Sequence, residues 1–255
     1  MPSHRDTILD QFSRQALPFS TAPSIRDQRA LQLIVDAAAT GADDTVLDVA
    51  CGPGLVACAF ARVARAVTGI DLTPAMIERA EALAAEGGRT NVRFQIGDVQ
   101  PLPFPDATFS IVVSRFAFHH FQEPAAVLAE MRRVCTPGGR VVVADLMASP
   151  DPAKAAAFHR MEMLRDPSHA RALTLDELRA LYRAAGLAVP SETFWRMNVD
   201  VDGLLERSFP APGSAPLIRR MFEDSVSGDA LGLQTRYEKG LLLFTYSNVV
   251  LSAVR

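Results

Sequence analysis

This chain is poor in the features that define stapled, metal-bound, membrane-spanning or nucleic-acid-binding proteins. It has three cysteines, Cys51, Cys58 and Cys135. There is no C-x-x-C pair and no Cys/His cluster at metal-ligand spacing, so no metal site is expected. An odd, sparse thiol set fits a reducing compartment, and the cytoplasm is the expected location. Concentrated positive charge is also missing. Lys and Arg total 26 against 29 Asp and Glu, giving a net charge of −3, and Arg132-Arg133 and Arg219-Arg220 are short pairs. They read as solvated helix faces, so nucleic acid is not the expected partner. The most apolar late stretch, residues 241–254, is interrupted by Thr245, Ser247 and Asn248. It reads as a strand, and no membrane span is expected. The opening MPSHRDTILDQF lacks the apolar core of a signal peptide. Internal repeats and low-complexity segments are absent.

What is present is ample apolar material, 49% of 255 residues, enough for one large α/β domain with additions. Its most informative stretch is Val46-Leu47-Asp48-Val49-Ala50-Cys51-Gly52-Pro53-Gly54. Val46, Leu47 and Val49 suit a central parallel strand buried on both faces. Gly52 and Gly54 permit a sharp turn and close approach to a ligand, because no Cβ intervenes. Residues 55–66 then read as a helix whose N-terminal amides point at the same spot. A second strand, residues 67–72, carries Asp71 near its end. Strand, glycine turn, helix, strand and terminal acid make a nucleoside-binding unit, because a carboxylate can accept from both ribose hydroxyls. Gly52-x-Gly54-x-x-Ala57 also satisfies the relaxed dinucleotide fingerprint, and each glycine taken alone is an ordinary turn residue.

A third strand, residues 91–99, ends in a second acid, Asp98. A proline-rich loop, residues 100–109, leads to a fourth strand at residues 110–114. With VLDVACGPG, TGIDLTPAMIERA, GDVQPLPFPDATFSIVVS, AFHHFQEP and CTPGGRVVVADL in this order over residues 45–147, the chain resembles the class I S-adenosylmethionine-dependent methyltransferases. The subgroup it resembles is the one related to ubiquinone and menaquinone biosynthesis.

The resemblance implies a cofactor, S-adenosyl-L-methionine, with S-adenosyl-L-homocysteine as product. Asp48 and the turn Ala50, Cys51, Gly52, Pro53 and Gly54 would hold its methionine end. Asp71 would take the ribose hydroxyls, and Leu72 and Met76 would flank the adenine. Asp98 would accept from the adenine amine, with Gly97 and Val99 at the same turn. Ser114 and Arg115 would lie near the sulfonium. The scarcity of thiols counts against an arsenic-methylating member, and Cys51 reads as a small apolar residue rather than a nucleophile.

The expected fold is a Rossmann-like α/β architecture. Its seven-stranded, mostly parallel sheet carries helices on both faces, and its last strand runs antiparallel beside the fifth. Residues 1–40 form an N-terminal helical cap, and residues 41–255 the methyltransferase domain with an inserted helical segment at about 150–172. Leu17-Pro18-Phe19 is expected to break the cap into two helices, with Phe19 a candidate lid residue or a simple packing contact. Thr73 and Pro74 start a helix that Gly87-Gly88 ends. Thr174 and Glu177 form a capping box for another, which Gly186 ends.

Methyl transfer displaces an already activated sulfonium, so positioning can supply much of the catalysis. A base is needed only if the acceptor must lose a proton. His119 and His120, after strand four, are the candidates, with His120 expected to face the donor methyl. Either could instead cap a helix. Asp145, closing strand five, could orient a histidine or cap structure. His169 and Arg171, in a polar loop, could rim a substrate site or form a surface tie. Trp195 and Met197 could line an apolar pocket or be core.

The leading reading is methyl transfer to a small-molecule metabolite at carbon, oxygen or nitrogen, with a homodimer left open. Alternatives are a non-methylating reaction such as a cyclisation on the same fold, or a cofactor-binding protein without turnover. Calorimetry is expected to detect binding of S-adenosylmethionine or S-adenosylhomocysteine and none of NAD. Tight NAD binding with no response to either sulfur ligand would overturn the cofactor assignment.

Overall fold

Strand β1, Thr45–Val49, lies inside the sheet, where its apolar residues are buried on both faces. The computed structural model describes residues 3–255. β1 pairs in parallel with β2, Ala66–Asp71, and with β4, Phe109–Arg115. β3, Val92–Ile96, extends the sheet beyond β2, and β5, Cys135–Leu146, extends it beyond β4. β8, Leu241–Val254, then enters antiparallel between β5 and β6, Ser191–Asp200. The order is β3-β2-β1-β4-β5-β8-β6, the expected seven strands with the last one antiparallel beside the fifth. A three-residue β7, Arg236–Glu238, adds an eighth by pairing with the start of β8.

Successive side chains on a strand point to opposite faces, so each central strand feeds two cores. Val46, Ile111, Val113, Val142 and Ala144 face one core. Helices α2 (Gln28–Ala37), α3 (Leu55–Phe60), α6 (Pro152–Arg165), α8 (Val201–Ser208) and α9 (Ser214–Ser225) supply residues to that core. Leu47, Val112, Val141 and Val143 face the other, with α5 (Pro124–Val134) and α7 (Leu175–Ala184). Among the described residues, no helix is long and apolar enough to cross a membrane.

Local signals set most helix ends. α4, Pro74–Glu86, begins after Thr73 and ends at Gly87, as expected. Its Thr73 side chain makes no capping bond; the Asp71 carboxylate accepts the Thr73 N–H instead. Thr174 and Glu177 form the reciprocal capping box on α7, and Gly186 follows the helix at φ 67°.

The cap departs from expectation. α1, His4–Thr21, runs straight through Pro18, and the break falls at residues 22–27. Proline in a final turn removes one N–H, the donor to Arg14, while its fixed φ suits the helix. The Ser20 and Thr21 hydroxyls fold back onto the Leu17 carbonyl and hold the end of the turn. α3 is shorter than expected, ending at Phe60 rather than near residue 66.

Gly54 fixes the turn that leads into α3. It has φ 79°, and a Cβ there would lie 2.8 Å from Ala80 Cβ and 3.0 Å from Phe94 Cζ. Left-handed strain and overpacking then act together. Gly54→Ala is expected to lower unfolding free energy by about 2–4 kcal/mol in urea denaturation.

Candidate functional site

A cavity of about 340 Å³ opens where the carboxyl ends of β1, β2 and β4 meet. This is the point where strand order reverses, the usual ligand crevice of a doubly wound sheet. Residues 50–53, Asp71 to Thr73, Asp98 to Gln100 and Arg115 to Ala117 form its walls. α1 covers it with His4, Arg5, Ile8, Phe12 and Phe19.

The turn after β1 holds three left-handed residues, Ala50, Gly52 and Gly54. Gly52 at φ 52° has nothing within 4 Å of a notional Cβ. Its glycine therefore answers the backbone, and open space lies above it. Asp71 holds this turn in place. One carboxylate oxygen accepts the Gly52 N–H at 2.8 Å and the other accepts the Thr73 N–H at 2.8 Å. Burial raises its pKa, and those backbone bonds work in the opposite direction.

The neighbouring polar groups are less satisfied. Asp48 is buried and accepts the Ala57 N–H at 2.9 Å. Burial, reinforced by the Asp71 charge and opposed by Arg115, raises its pKa to about 8. Arg115 is also buried, donating to the Ile25 carbonyl at 3.0 Å, with its guanidinium 4.5 Å over the Phe116 ring. Its Nε and Nη2 have no partner among the described residues. Burial lowers the Arg115 pKa to about 10, against the pull of Asp48. A carboxyl group lacking a cation and a cation lacking an anion thus share one cavity wall.

Cys51 is buried on the same wall, and burial pushes its thiol well above the ordinary range, the Asp48 and Asp71 charges adding to the shift. It is an inert packing residue. Asp98 is exposed, forms an ion pair with Arg5 of α1, and accepts the Gln100 N–H at 3.2 Å.

His119 and His120 occupy a single 3-10 turn, Phe118–His120, with ring centroids 4.3 Å apart. His119 Nδ1 lies 2.6 Å from Asp145, which also accepts the Phe118 N–H at 2.7 Å. Burial disfavours the His119 cation, but Asp145 outweighs it and the pKa rises. His120 Nδ1 lies 3.0 Å from the Ser168 carbonyl, which can only accept. The proton therefore sits on Nδ1, and Nε2 carries a free lone pair. Burial and the adjacent His119 charge lower the His120 pKa to about 4. Unfolding consequently takes up a proton between about pH 4 and 6.5, and the fold loses stability as pH falls through that window. His119 contributes in the opposite sense, its stabilisation lost as pH rises through its raised pKa.

A second cavity of about 80 Å³ adjoins the first, and Phe12, Phe19, Phe116 and His120 line both. His119 faces this smaller space, along with Arg165, Arg207, Met197 and Tyr246. Among the described residues there is no cluster of three or more His, Cys, Asp or Glu placed to hold a metal ion.

Most of the residues anticipated from the sequence reach a cavity wall: Phe19, Asp48, Ala50, Cys51, Gly52, Pro53, Asp71, Leu72, Met76, Asp98, Val99, Arg115 and His120. Gly54, Gly97 and Ser114 do not. Gly54 packs on Ala80 and Gly97 on Ile70, and Ser114 is fully buried. Asp145 stands behind His119, so it acts on the cavity only through that ring. His169 is buried behind the pair, 5.6 Å from the His119 ring, and burial lowers its pKa. Trp195 stands behind Phe116 at 6.0 Å. Arg171 is exposed and bound to Glu177, a surface tie rather than a substrate contact. The polar loop after α6 is no solvent rim, since Asp166, Ser168 and His169 are all buried beneath the histidines.

Sequence reasoning missed the α1 contacts and the buried group around Glu162. His4 Nε2 donates to the His120 carbonyl at 2.8 Å. Glu162 binds Arg165 and accepts from the Tyr246 hydroxyl at 2.8 Å. Gln11 and Gln15 donate to the Ser208 carbonyl, at 2.6 and 3.1 Å. The one available signal was polar residues at helical spacing inside an otherwise apolar pattern.

The fold and this crevice define a class I, nucleoside-cofactor α/β protein. A family profile described as a methyltransferase domain matches residues 47–143. The uncharacterized methyltransferase YcgJ of Bacillus subtilis is 34% identical over 196 residues, 77% of this chain and 78% of that protein. Its crystal structure superposes with a TM-score of 0.82 at 29% identity, covering 89% of this chain and 98% of that one. The BH2331 protein of Bacillus halodurans C-125 gives 0.81 at 27%, covering 88% and 97%. Over a shorter stretch, demethylmenaquinone methyltransferase of Deinococcus radiodurans is 42% identical, covering 42% of this chain and 44% of that protein. The chain belongs to the methyltransferase family of YcgJ, and S-adenosylmethionine is its expected cofactor.

The residues present fit that cofactor. Its amino-acid end offers an ammonium and a carboxylate, and the cavity wall holds the underpaired Asp48 and Arg115. Asp71 carries structure as well as any ligand contact, because removing it strands the Gly52 and Thr73 amides. Asp71→Ala is expected to cost about 1–3 kcal/mol of stability in urea denaturation. Calorimetry should also show S-adenosylhomocysteine binding weakened roughly 10- to 100-fold.

Proposed function

We propose that this enzyme transfers a methyl group from S-adenosylmethionine to a small-molecule metabolite seated in the smaller cavity. The observation that carries this reading is the pair of adjoining cavities divided by Phe12, Phe19, Phe116 and His120. One has the volume of a small-ligand site, and the other is too confined for a polymer. The short match to demethylmenaquinone methyltransferase supports kinship with the quinone-biosynthesis subgroup.

When bound, the cofactor supplies a methyl group already activated on a sulfonium. Asp48 would pair with its ammonium and Arg115 with its carboxylate. Asp71 would accept from the ribose hydroxyls, and Leu72 and Met76 would flank the adenine. Asp98 has lone pairs enough to take the adenine amine while Arg5 remains bound. Residues 3–40 act as the cap: Arg5 on Asp98 and His4 on the His120 carbonyl hold α1 across the opening. Phe12 and Phe19 then exclude water from the reacting atoms.

His120 is the base. Its Nδ1 proton is held by Ser168, so Nε2 can take a proton from the acceptor as the new bond forms. His119, whose cation Asp145 favours, disfavours a second charge on its neighbour. Incubation with a metabolite panel tests the reading through formation of S-adenosylhomocysteine. An isomerised substrate with the cofactor recovered intact would favour a cyclisation instead. His120→Ala is expected to lower kcat by roughly 10²–10⁴ while cofactor affinity holds. If His120 only positions the acceptor, KM rises and kcat stays. With the His120 pKa near 4, kcat/KM should lose no activity to its protonation at neutral pH and should fall only in acid.

A further inference from the structure

We infer that the smaller cavity selects an organic anion, an apolar acceptor carrying one acidic oxygen that pairs with Arg207 and His119. This rests on the methyl-transfer reading and narrows its acceptor class.

Three carboxylates lie near the cavity, and all are committed. Glu162 accepts from Arg165 at 2.8 and 2.5 Å and from the Tyr246 hydroxyl at 2.8 Å. Asp166 accepts the Ser168 N–H at 2.9 Å and its hydroxyl at 2.5 Å, with Arg165 3.8 Å away. Asp145 is held by His119 and by the Phe118 and Leu146 amides. Asp200, the next carboxylate toward α8, caps the Gly203 N–H at 2.6 Å.

Arg207 lines the cavity, half-buried, with no ion pair or hydrogen bond among the described residues, and Asp200 acts on it only through space. Burial holds its guanidinium below the ordinary value. A half-buried cation without an ion pair can take a ligand anion in a charge-assisted bond. His119 adds a second donor in its cationic form, which Asp145 favours. Its Nδ1 is taken by Asp145, and its Nε2 has no partner among the described residues. Around these donors the walls are apolar, with Phe116, Met197, Val199 and Leu204. A cationic amine would meet Arg165 and Arg207 with no free carboxylate to accept it. A neutral molecule would leave Arg207 unmatched.

Trp195, the single tryptophan, lies 6.0 Å from Phe116 and reports on the cavity by fluorescence. Calorimetry with S-adenosylhomocysteine comes first. The saturated protein is then titrated with benzoate, benzamide and benzylamine, three probes of one shape and different charge. Benzoate is expected to bind saturably and about 10- to 100-fold more tightly than benzamide, with benzylamine weakest. Arg207→Gln should erase that preference, with S-adenosylhomocysteine affinity and melting temperature unchanged, and Arg207→Lys should restore part of it. Equal binding of the three probes, preference for the amine, no saturable benzoate binding, or a preference that survives Arg207→Gln would overturn the inference. If S-adenosylhomocysteine itself fails to bind, the cofactor reading fails and this inference with it. If it binds and benzoate does not, this inference alone fails.

Discussion

The two hydrogen bonds that Asp71 accepts hold the site together. The Gly52 amide belongs to the turn after β1, and the Thr73 amide begins α4 after β2. One carboxylate therefore locks the two connections that frame the cavity. The left-handed backbone at Ala50, Gly52 and Gly54 is strained outside glycine, and such geometry persists only where neighbouring contacts over-determine it. Asp71 supplies such a contact from the adjoining strand. A ligand taking that carboxylate would bind the group that shapes its own cradle, so folding and recognition are coupled there.

A second polar assembly lies beneath the histidines and joins elements distant in the chain. Glu162 and Arg165 of α6 meet Tyr246 of β8 and Ser208 at the end of α8. Ser208 in turn receives Gln11 and Gln15 of α1. Buried ionic groups lose hydration, and each must recover it from several well-aligned partners. The result is a floor that fixes α1, α6 and α8 against the sheet around the smaller cavity. Ser168 then transmits that rigidity to His120 by accepting its Nδ1 proton.

The candidate site residues differed in how legible they were. Asp48, Asp71 and the glycine turn were readable because each follows an apolar strand at a fixed distance, and a strand's end is where a parallel sheet presents its crevice. Gly54, Gly97 and Ser114 carried the same pattern yet stand away from the cavity wall. Pattern locates a turn, but close packing on Ala80 and Ile70 decides which atoms face the ligand. Pro18 shows the converse. Its residue type suggested a break, but in a last turn it costs one hydrogen bond, and the helix continues.

The sequence by itself determined where the first strands fall, the capping of α7, the glycine turn and its acids, while the order and direction of the strands came from the family resemblance. The local features follow from periodicity and backbone permissiveness within a few residues. Tertiary structure alone decided that His119 takes Asp145 while His120 takes Ser168, and that Arg207 is left without an ion pair. It likewise decided that Arg5 and His4 reach across to Asp98 and the His120 carbonyl. Those pairings join residues tens of positions apart. An arginine or glutamate carries no local mark of its burial, so which charge meets which depends on how the helices pack against the sheet.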